Sequence, residues 1–176
     1  TISKEQHAMA ASRVAAAGLE DKITLLMEDY RDLTGQYDKL VSIEMIEAVG
    51  KAYWGTFFET LKKSLKPNGR AVIQAITINE KLAGNYQASV DFIQKYIFPG
   101  GMLMSKNQFT NLAEEHKFNI LDNYAFGKDY AWTLQEWFHR FQGNWLKIET
   151  LGFSSQFKRM WEKSDNELAY LKNKFE

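Results

Sequence analysis

Asp38-Lys39-Leu40-Val41-Ser42-Ile43-Glu44-Met45 is apolar at its centre and acidic towards its end, and reads as a strand whose C-terminal end turns polar. Downstream, Trp54, Phe57, Phe58, Leu61 and Leu65 recur at helical spacing, with Lys62, Lys63 and Lys66 on the opposite side. That spacing predicts an amphipathic helix. Pro67-Asn68-Gly69 forces a turn, and residues 70–78 form a β-branched run suited to a strand buried on both faces, with Gln74 as its odd polar member. Strand, helix and strand in direct succession predict an α/β domain with a largely parallel sheet.

The flanks extend the pattern. Ser3-Lys4-Glu5-Gln6 has capping-box spacing before an Ala-rich run that Gly18 stops, which predicts a helix over 4–17. Ile23, Leu25 and Met27 alternate into Glu28-Asp29-Tyr30, the signature of a short strand and a polar loop. Beyond Asn79 the alternation loosens. A helical stretch over 86–96 leads into Phe98-Pro99-Gly100-Gly101, and Ser105 and Gln108 frame a capped helix carrying Phe109, Leu112 and Ala113. Residues 118–126 are compatible with another strand. Thr133 and Glu136 have capping-box spacing ahead of the apolar face Leu134, Trp137, Phe138, Phe141, Trp145 and Ile148. A last helix from about Ser154 carries Phe157, Met160, Trp161, Leu168 and Leu171.

Composition bounds the function. At 176 residues the chain suits one domain. A hydrophobic fraction of 45% with five Trp, eight Tyr and twelve Phe argues against disorder. Lys plus Arg and Asp plus Glu are each 22, so no global field attracts nucleic acid. The absence of cysteine excludes disulfides and thiolate metal sites and fits a reducing, cytoplasmic setting. His7, His116 and His139 are scattered, so no metal site is expected. No apolar run approaches the roughly 20 residues of a membrane span, which leaves only peripheral lipid contact.

The order of motifs resembles the cyclopropane fatty acid synthase and mycolic acid cyclopropane synthase family. The resemblance is carried by Thr1 to Gln6, Asp29-Tyr30-Arg31, Ile43 to Gly50, Leu65 to Arg70, Gln74 to Ile78, Tyr96 to Gly101, Phe126 to Tyr130 and Phe157 to Trp161. It implies a Rossmann-like S-adenosylmethionine-dependent methyltransferase fold in a single domain over 1–176. Helical insertions near 79–104 and 131–176 would cover the substrate. The family's first strand and Gly-rich loop are not among these residues, so the domain is expected to be incomplete here, and Gln74 stands where many members have His.

The resemblance also implies site residues. Thr1, Ile2, Ser3, Gln6, Asp29 and Tyr30 would bind S-adenosylmethionine. Glu47, Gln74 and Tyr130, with backbone groups of Ile43 and Ile76, would hold a bicarbonate ion as general base. On the residues alone, Ser3 and Gln6 are better read as a helix cap. Asp29 and Tyr30 read equally well as a solvated turn, and Glu47 as a helix N-terminal acid. An amide at position 74 keeps hydrogen bonding and loses titration.

The implied reaction methylenates the cis double bond of an unsaturated phospholipid at the inner face of a membrane. A homodimer is among the assemblies it allows. Transfer of a methyl group to another lipid or small molecule, and a non-catalytic lipid-binding role, are the competing readings. Because the developing carbocation favours aromatic neighbours, Tyr53, Trp54, Phe57, Tyr96, Phe98, Tyr124 and Trp132 are candidates, although such stripes are commonly core.

Overall fold

Ser3 opens the first helix as a cap, its hydroxyl accepting from the Gln6 amide at 3.2 Å, and α1 spans Lys4–Ala16. The computed structural model describes residues 1–171, with side chains to 163. The reciprocal half of the expected box is replaced, because the Gln6 side-chain oxygen accepts from the Thr1 hydroxyl at 2.7 Å. The chain forms two compact units: Thr1–Val41 with Gly55–Val72, and Ser42–Trp54 with Ile73–Glu176.

In the first unit, α2 (Trp54–Ser64, with all but its first residue here) buries Phe57, Phe58 and Leu61. The Phe57 and Phe58 rings meet edge-on at 5.5 Å, and Tyr30 packs on Phe57 at 6.1 Å. Each fully buried Phe contributes about 1.5–3 kcal/mol, so this stripe anchors the unit. Strands β1 (Tyr37–Ile43) and β2 (Leu65–Gln74) pair in a two-stranded sheet. Asp38 pairs with Lys66 in this unit, and just past the end of β1, among residues of the second unit, the Glu44 amide donates to the Gln74 carbonyl. The strands therefore run in the same direction. Gly69 permits their close approach, since a Cβ there would lie 2.9 Å from the Lys66 carbonyl and 3.2 Å from that of Asp38.

In the second unit, β3 (Thr77–Ile78) pairs in parallel with β4 (Met104–Ser105), Thr77 opposite Met104. Between them lie α3 (Glu80–Ala88) and α4 (Phe92–Tyr96). Then come α5 (Lys106–Glu115), α6 (Gly127–Gly143), α7 (Trp145–Glu149) and α8 (Ser155–Leu171). Ser105 is fully buried, and with Gln108 it forms both halves of a capping box. Phe157 of α8 packs on Phe141 of α6 at 6.5 Å.

Several expectations are corrected. Residues 23–27 and 118–126 are not strands. Neither finds a neighbouring ladder; Leu26 instead accepts from the Thr1 amino group, and Leu121 and Tyr124 are more than two-thirds exposed. The strand expected over 70–78 starts earlier, at Leu65, and breaks after Gln74. It is not buried on both faces, for Val72 is 64% exposed. The helix expected over 86–96 is two, because Asp91 and Gln94 form a capping box that restarts it. Thr133 does not cap: α6 begins six residues earlier, and the Thr133 hydroxyl bonds back to the Asp129 carbonyl. Leu168 and Leu171 have side chains outside those described.

Candidate active site

The break between β2 and β3 is where the site is built. After Gln74 the strand leaves its ladder, and the freed Ile76 amide donates to the Glu47 carboxylate at 2.5 Å. Glu47 sits in a three-residue 3-10 turn, Ile46–Ala48, on the chain that leaves β1. Its carbonyl accepts from Met102 at 2.8 Å, and the Phe98 carbonyl accepts from Gly101 at 2.9 Å. The Phe98-Pro99-Gly100-Gly101 turn thus leads directly into a brace on the backbone of Glu47. Gly101 suits this, because a Cβ would stand 3.0 Å from the Phe98 carbonyl.

The second carboxylate oxygen of Glu47 is buried and meets no hydrogen-bond partner among the described residues. Burial pushes the Glu47 carboxyl up, and the Glu44 charge adds to that effect. The Ile76 amide and Glu47's own backbone oppose it. A half-buried acid with one free oxygen is suited to holding or exchanging a proton.

Glu44 is the residue that sequence reasoning missed. It has left-handed backbone, φ 49°, a conformation uncommon outside glycine and enriched at functional sites. Its carboxylate accepts from the Gln74 side-chain amide at 2.9 Å. The only signal in the sequence was an acid just past a strand end, three residues before Glu47.

Ile43, Glu44 and Gln74 line a cavity of about 320 Å³ with Phe126, Asp129, Tyr130, Thr133 and Trp137. Tyr130 stands in the first turn of α6, its ring edge-on to Trp137 at 6.4 Å. Burial first, then the charges of Glu44 and Glu47, push its hydroxyl up to about 12. It therefore stays a hydrogen-bond donor at neutral pH. Ile43, Gln74 and Tyr130 meet at one cavity, whereas Glu47 and Ile76 bond to each other without lining it. The rings on the cavity are Phe126, Tyr130 and Trp137, none of them among the aromatic candidates singled out from the sequence.

The cofactor candidates fall in the first unit. Ser3 is occupied as a cap and also donates to Glu5 at 3.0 Å; Thr1 holds Gln6; Ile2 is 77% exposed. Asp29 caps the Tyr30–Asp32 turn, and its two oxygens receive the Arg31 guanidinium at 2.9 and 2.8 Å. Those Arg31 contacts hold the Asp29 carboxyl at about 2. A carboxylate fixed in this way is a preorganised acceptor with lone pairs to spare. Tyr30 presents its ring to Phe57. Among the described residues no cluster of acids and histidines has metal-site geometry.

The family model for mycolic acid cyclopropane synthetase matches residues 1–175. A tuberculostearic acid methyltransferase of Mycobacterium tuberculosis is 41% identical over 163 residues, covering 92% of this chain and 38% of the relative. A cyclopropane-fatty-acyl-phospholipid synthase of Escherichia coli is also 41% identical, over 162 residues, covering 92% of this chain and 40% of the relative. The chain thus spans less than half the length of these curated relatives. A crystal structure of mycolic acid cyclopropane synthase complexed with SAH and CTAB superposes with a TM-score of 0.86 at 23% identity, covering 98% of this chain and 64% of that one. The fold is shared with that enzyme, a Rossmann-like methyltransferase fold of which this chain forms part.

Proposed function

The chain belongs to the mycolic acid cyclopropane synthetase family, and from that premise we propose that it serves an S-adenosylmethionine-dependent transferase that methylenates the cis double bond of an unsaturated phospholipid acyl chain. The observation that carries this reading is the Glu47 carboxyl, raised by burial and with one oxygen unpartnered, close enough for its charge to reach Tyr130 on an aromatic-lined cavity.

S-adenosylmethionine, when bound, supplies an electrophilic methyl group. Asp29 offers its fixed carboxylate to a hydrogen-bond donor such as an adenine amine, and Thr1 and Gln6 lie on the same unit for the remaining polar groups. The acceptor alkene gains a methyl carbon, and positive charge develops on the neighbouring carbon. The faces of Phe126 and Trp137 and the acids Glu44 and Asp129 favour that charge. Ring closure then requires removal of one proton from the added carbon. A bicarbonate ion would take that proton as general base, with the Tyr130 hydroxyl on the cavity as a hydrogen-bond donor to it and Glu47 as the acid that would hold it in place. Ile43 lines the same cavity, whereas the Ile76 amide is bonded to Glu47 and would act on the ion through it.

A second reading stops at methyl transfer. Gln74 favours it, since its amide is tied to Glu44 and cannot titrate, and one of the two relatives at 41% identity is a methyltransferase by name. Among the described residues no helix is long and apolar enough to cross a membrane, so the acceptor would be met by peripheral contact. Acyl-chain analysis by gas chromatography and mass spectrometry, after expressing the full-length protein in a host without cyclopropane lipids, tests both readings. Cyclopropane chains support the first and methyl-branched chains the second. Unchanged lipids with a folded, cofactor-binding protein would overturn both.

A further inference from the structure

A second cavity, of about 430 Å³, opens between α4 and α8 and is lined by Phe92, Tyr96, Gln156, Arg159, Met160 and Lys163. Gln156, Arg159, Met160 and Lys163 recur at helical spacing, so one face of α8 supplies two cations and a thioether to the same opening. Lys163 lies over the Phe92 ring at 4.4 Å, and Lys95 adds a third cation over Tyr96 at 5.2 Å. Among the described residues no acid lines the cavity. Of the described acids on or capping these elements, Asp91 caps α4 and Glu162 pairs with Lys158. Arg159 makes no ion pair among the described residues. Tyr96 on the cavity is 48% exposed, and Val90 and Phe98, on the chain that flanks α4, are 72% and 58% exposed.

We propose that this cavity seats the phosphate of a phospholipid headgroup at a bilayer surface, with Arg159 and Lys163 as its ligands and Lys95 at its rim. The chemistry is that of a guanidinium fork and an ammonium point charge meeting a phosphate. The apolar half of the lining distinguishes an amphiphile from a free anion. Phe92 and Met160 and the ring of Tyr96 offer nothing to inorganic phosphate, whereas they match the glycerol and first acyl carbons, and exposed Phe98 and Val90 match the interfacial region of a bilayer. The volume lies within the range of small-ligand pockets. The inference extends the lipid reading above and names where the acceptor's polar end is held.

Sedimentation of the full-length protein with vesicles of phosphatidylglycerol in phosphatidylcholine tests it, without cofactor and without turnover. Each cationic charge near such a surface is worth about a five-fold change in partition. Arg159→Ala and Lys163→Ala are therefore each expected to weaken binding about five-fold and the double variant about 25-fold, with a shallower dependence on salt. Arg159→Lys should retain most of the binding. Lys95→Glu, on an exposed side chain, provides a variant with little risk to folding and is expected to weaken binding at least as much as a single alanine change. Unchanged vesicle partition in the double variant with native circular dichroism would overturn the proposal. So would variants that change the affinity for glycerol phosphate in calorimetry and leave vesicle binding intact, since that marks a free-anion site. Because no product is measured, a failure here leaves the acyl-chain analysis unaffected, and a failure of that analysis leaves this result standing.

Discussion

Glu44 and Gln74 are joined twice: the Glu44 amide donates to the Gln74 carbonyl at 2.9 Å, and the Gln74 side-chain amide donates to the Glu44 carboxylate, also at 2.9 Å. One bond closes the end of the β1–β2 ladder and the other fixes a side chain on the cavity. Left-handed backbone at Glu44 means that glycine would relax the chain while removing the side-chain bond. Glu44→Gly is thus expected to be more stable than Glu44→Ala by about 1 kcal/mol, measured by denaturant unfolding. Both should slow turnover of the full-length protein, because nothing then holds the Gln74 amide. Equal stabilities would show that the backbone at Glu44 is not strained.

Tyr130→Phe removes a hydroxyl and keeps the ring that meets Trp137. The folded-state value of this group lies above its ordinary 10.0, at about 12, so the phenolate is disfavoured by the fold. Stability associated with Tyr130 is complete below pH 10 and is lost as pH rises towards 12. Ultraviolet titration should show wild type and Tyr130→Phe diverging only near the upper end of that interval. The variant should fold normally and turn over slowly. Titration of Tyr130 at its ordinary value would remove it from the acidic cluster.

At Asp29 the shift has the opposite sign. Arg31 holds its carboxyl at about 2, below the ordinary 3.8, so the contribution is present above pH 3.8 and lost as pH falls towards 2. Carbon-detected NMR should place Asp29 near 2 in the wild type and nearer 3.8 in Arg31→Ala. In the full-length protein Asp29→Ala should weaken S-adenosylmethionine binding and leave kcat at saturating cofactor nearly unchanged. A change in kcat alone would take Asp29 out of the cofactor site.

What the sequence disclosed was local. Ser3, Ser105 and Ser154 mark helix starts because a hydroxyl accepting from the third amide onward is decided within one turn. The stripe Trp54, Phe57, Phe58 and Leu61 reads directly as a buried face. Segments 23–27 and 118–126 have strand-like composition, yet a strand exists only where another chain segment completes its ladder, and that partner is not written in the segment itself. The break after Gln74 was hidden for the same reason: Ile76 is β-branched like its neighbours, and only the distant Glu47 carboxylate draws its amide out of the sheet. Of the site, Glu47, Gln74 and Tyr130 were named through motif resemblance. Glu44 escaped because its importance lies in a backbone angle.

Glu47 yields the most discriminating test. A helix N-terminal acid would be stabilising when charged, so replacing it with Gln would cost up to roughly 1 kcal/mol at neutral pH. The structure reverses that expectation. Burial raises the Glu47 carboxyl above its ordinary 4.5, so the folded state binds a proton more readily than the unfolded chain. Stability associated with this group is therefore complete below pH 4.5 and is lost as pH rises through the raised folded value. Glu47→Gln keeps an oxygen for the Ile76 amide and cannot ionise. Its Tm relative to wild type should thus climb as pH rises above about 4.5, the two curves approaching each other in acid. If Glu47 also orders the base for ring closure, the same variant should bind S-adenosylmethionine almost normally and form product about 10²–10⁴-fold more slowly. Melting curves across pH, cofactor titration and lipid turnover on one preparation of the full-length protein separate the roles. A Tm difference that does not vary with pH would refute the raised carboxyl, and normal turnover in Glu47→Gln would end the catalytic assignment whatever its stability.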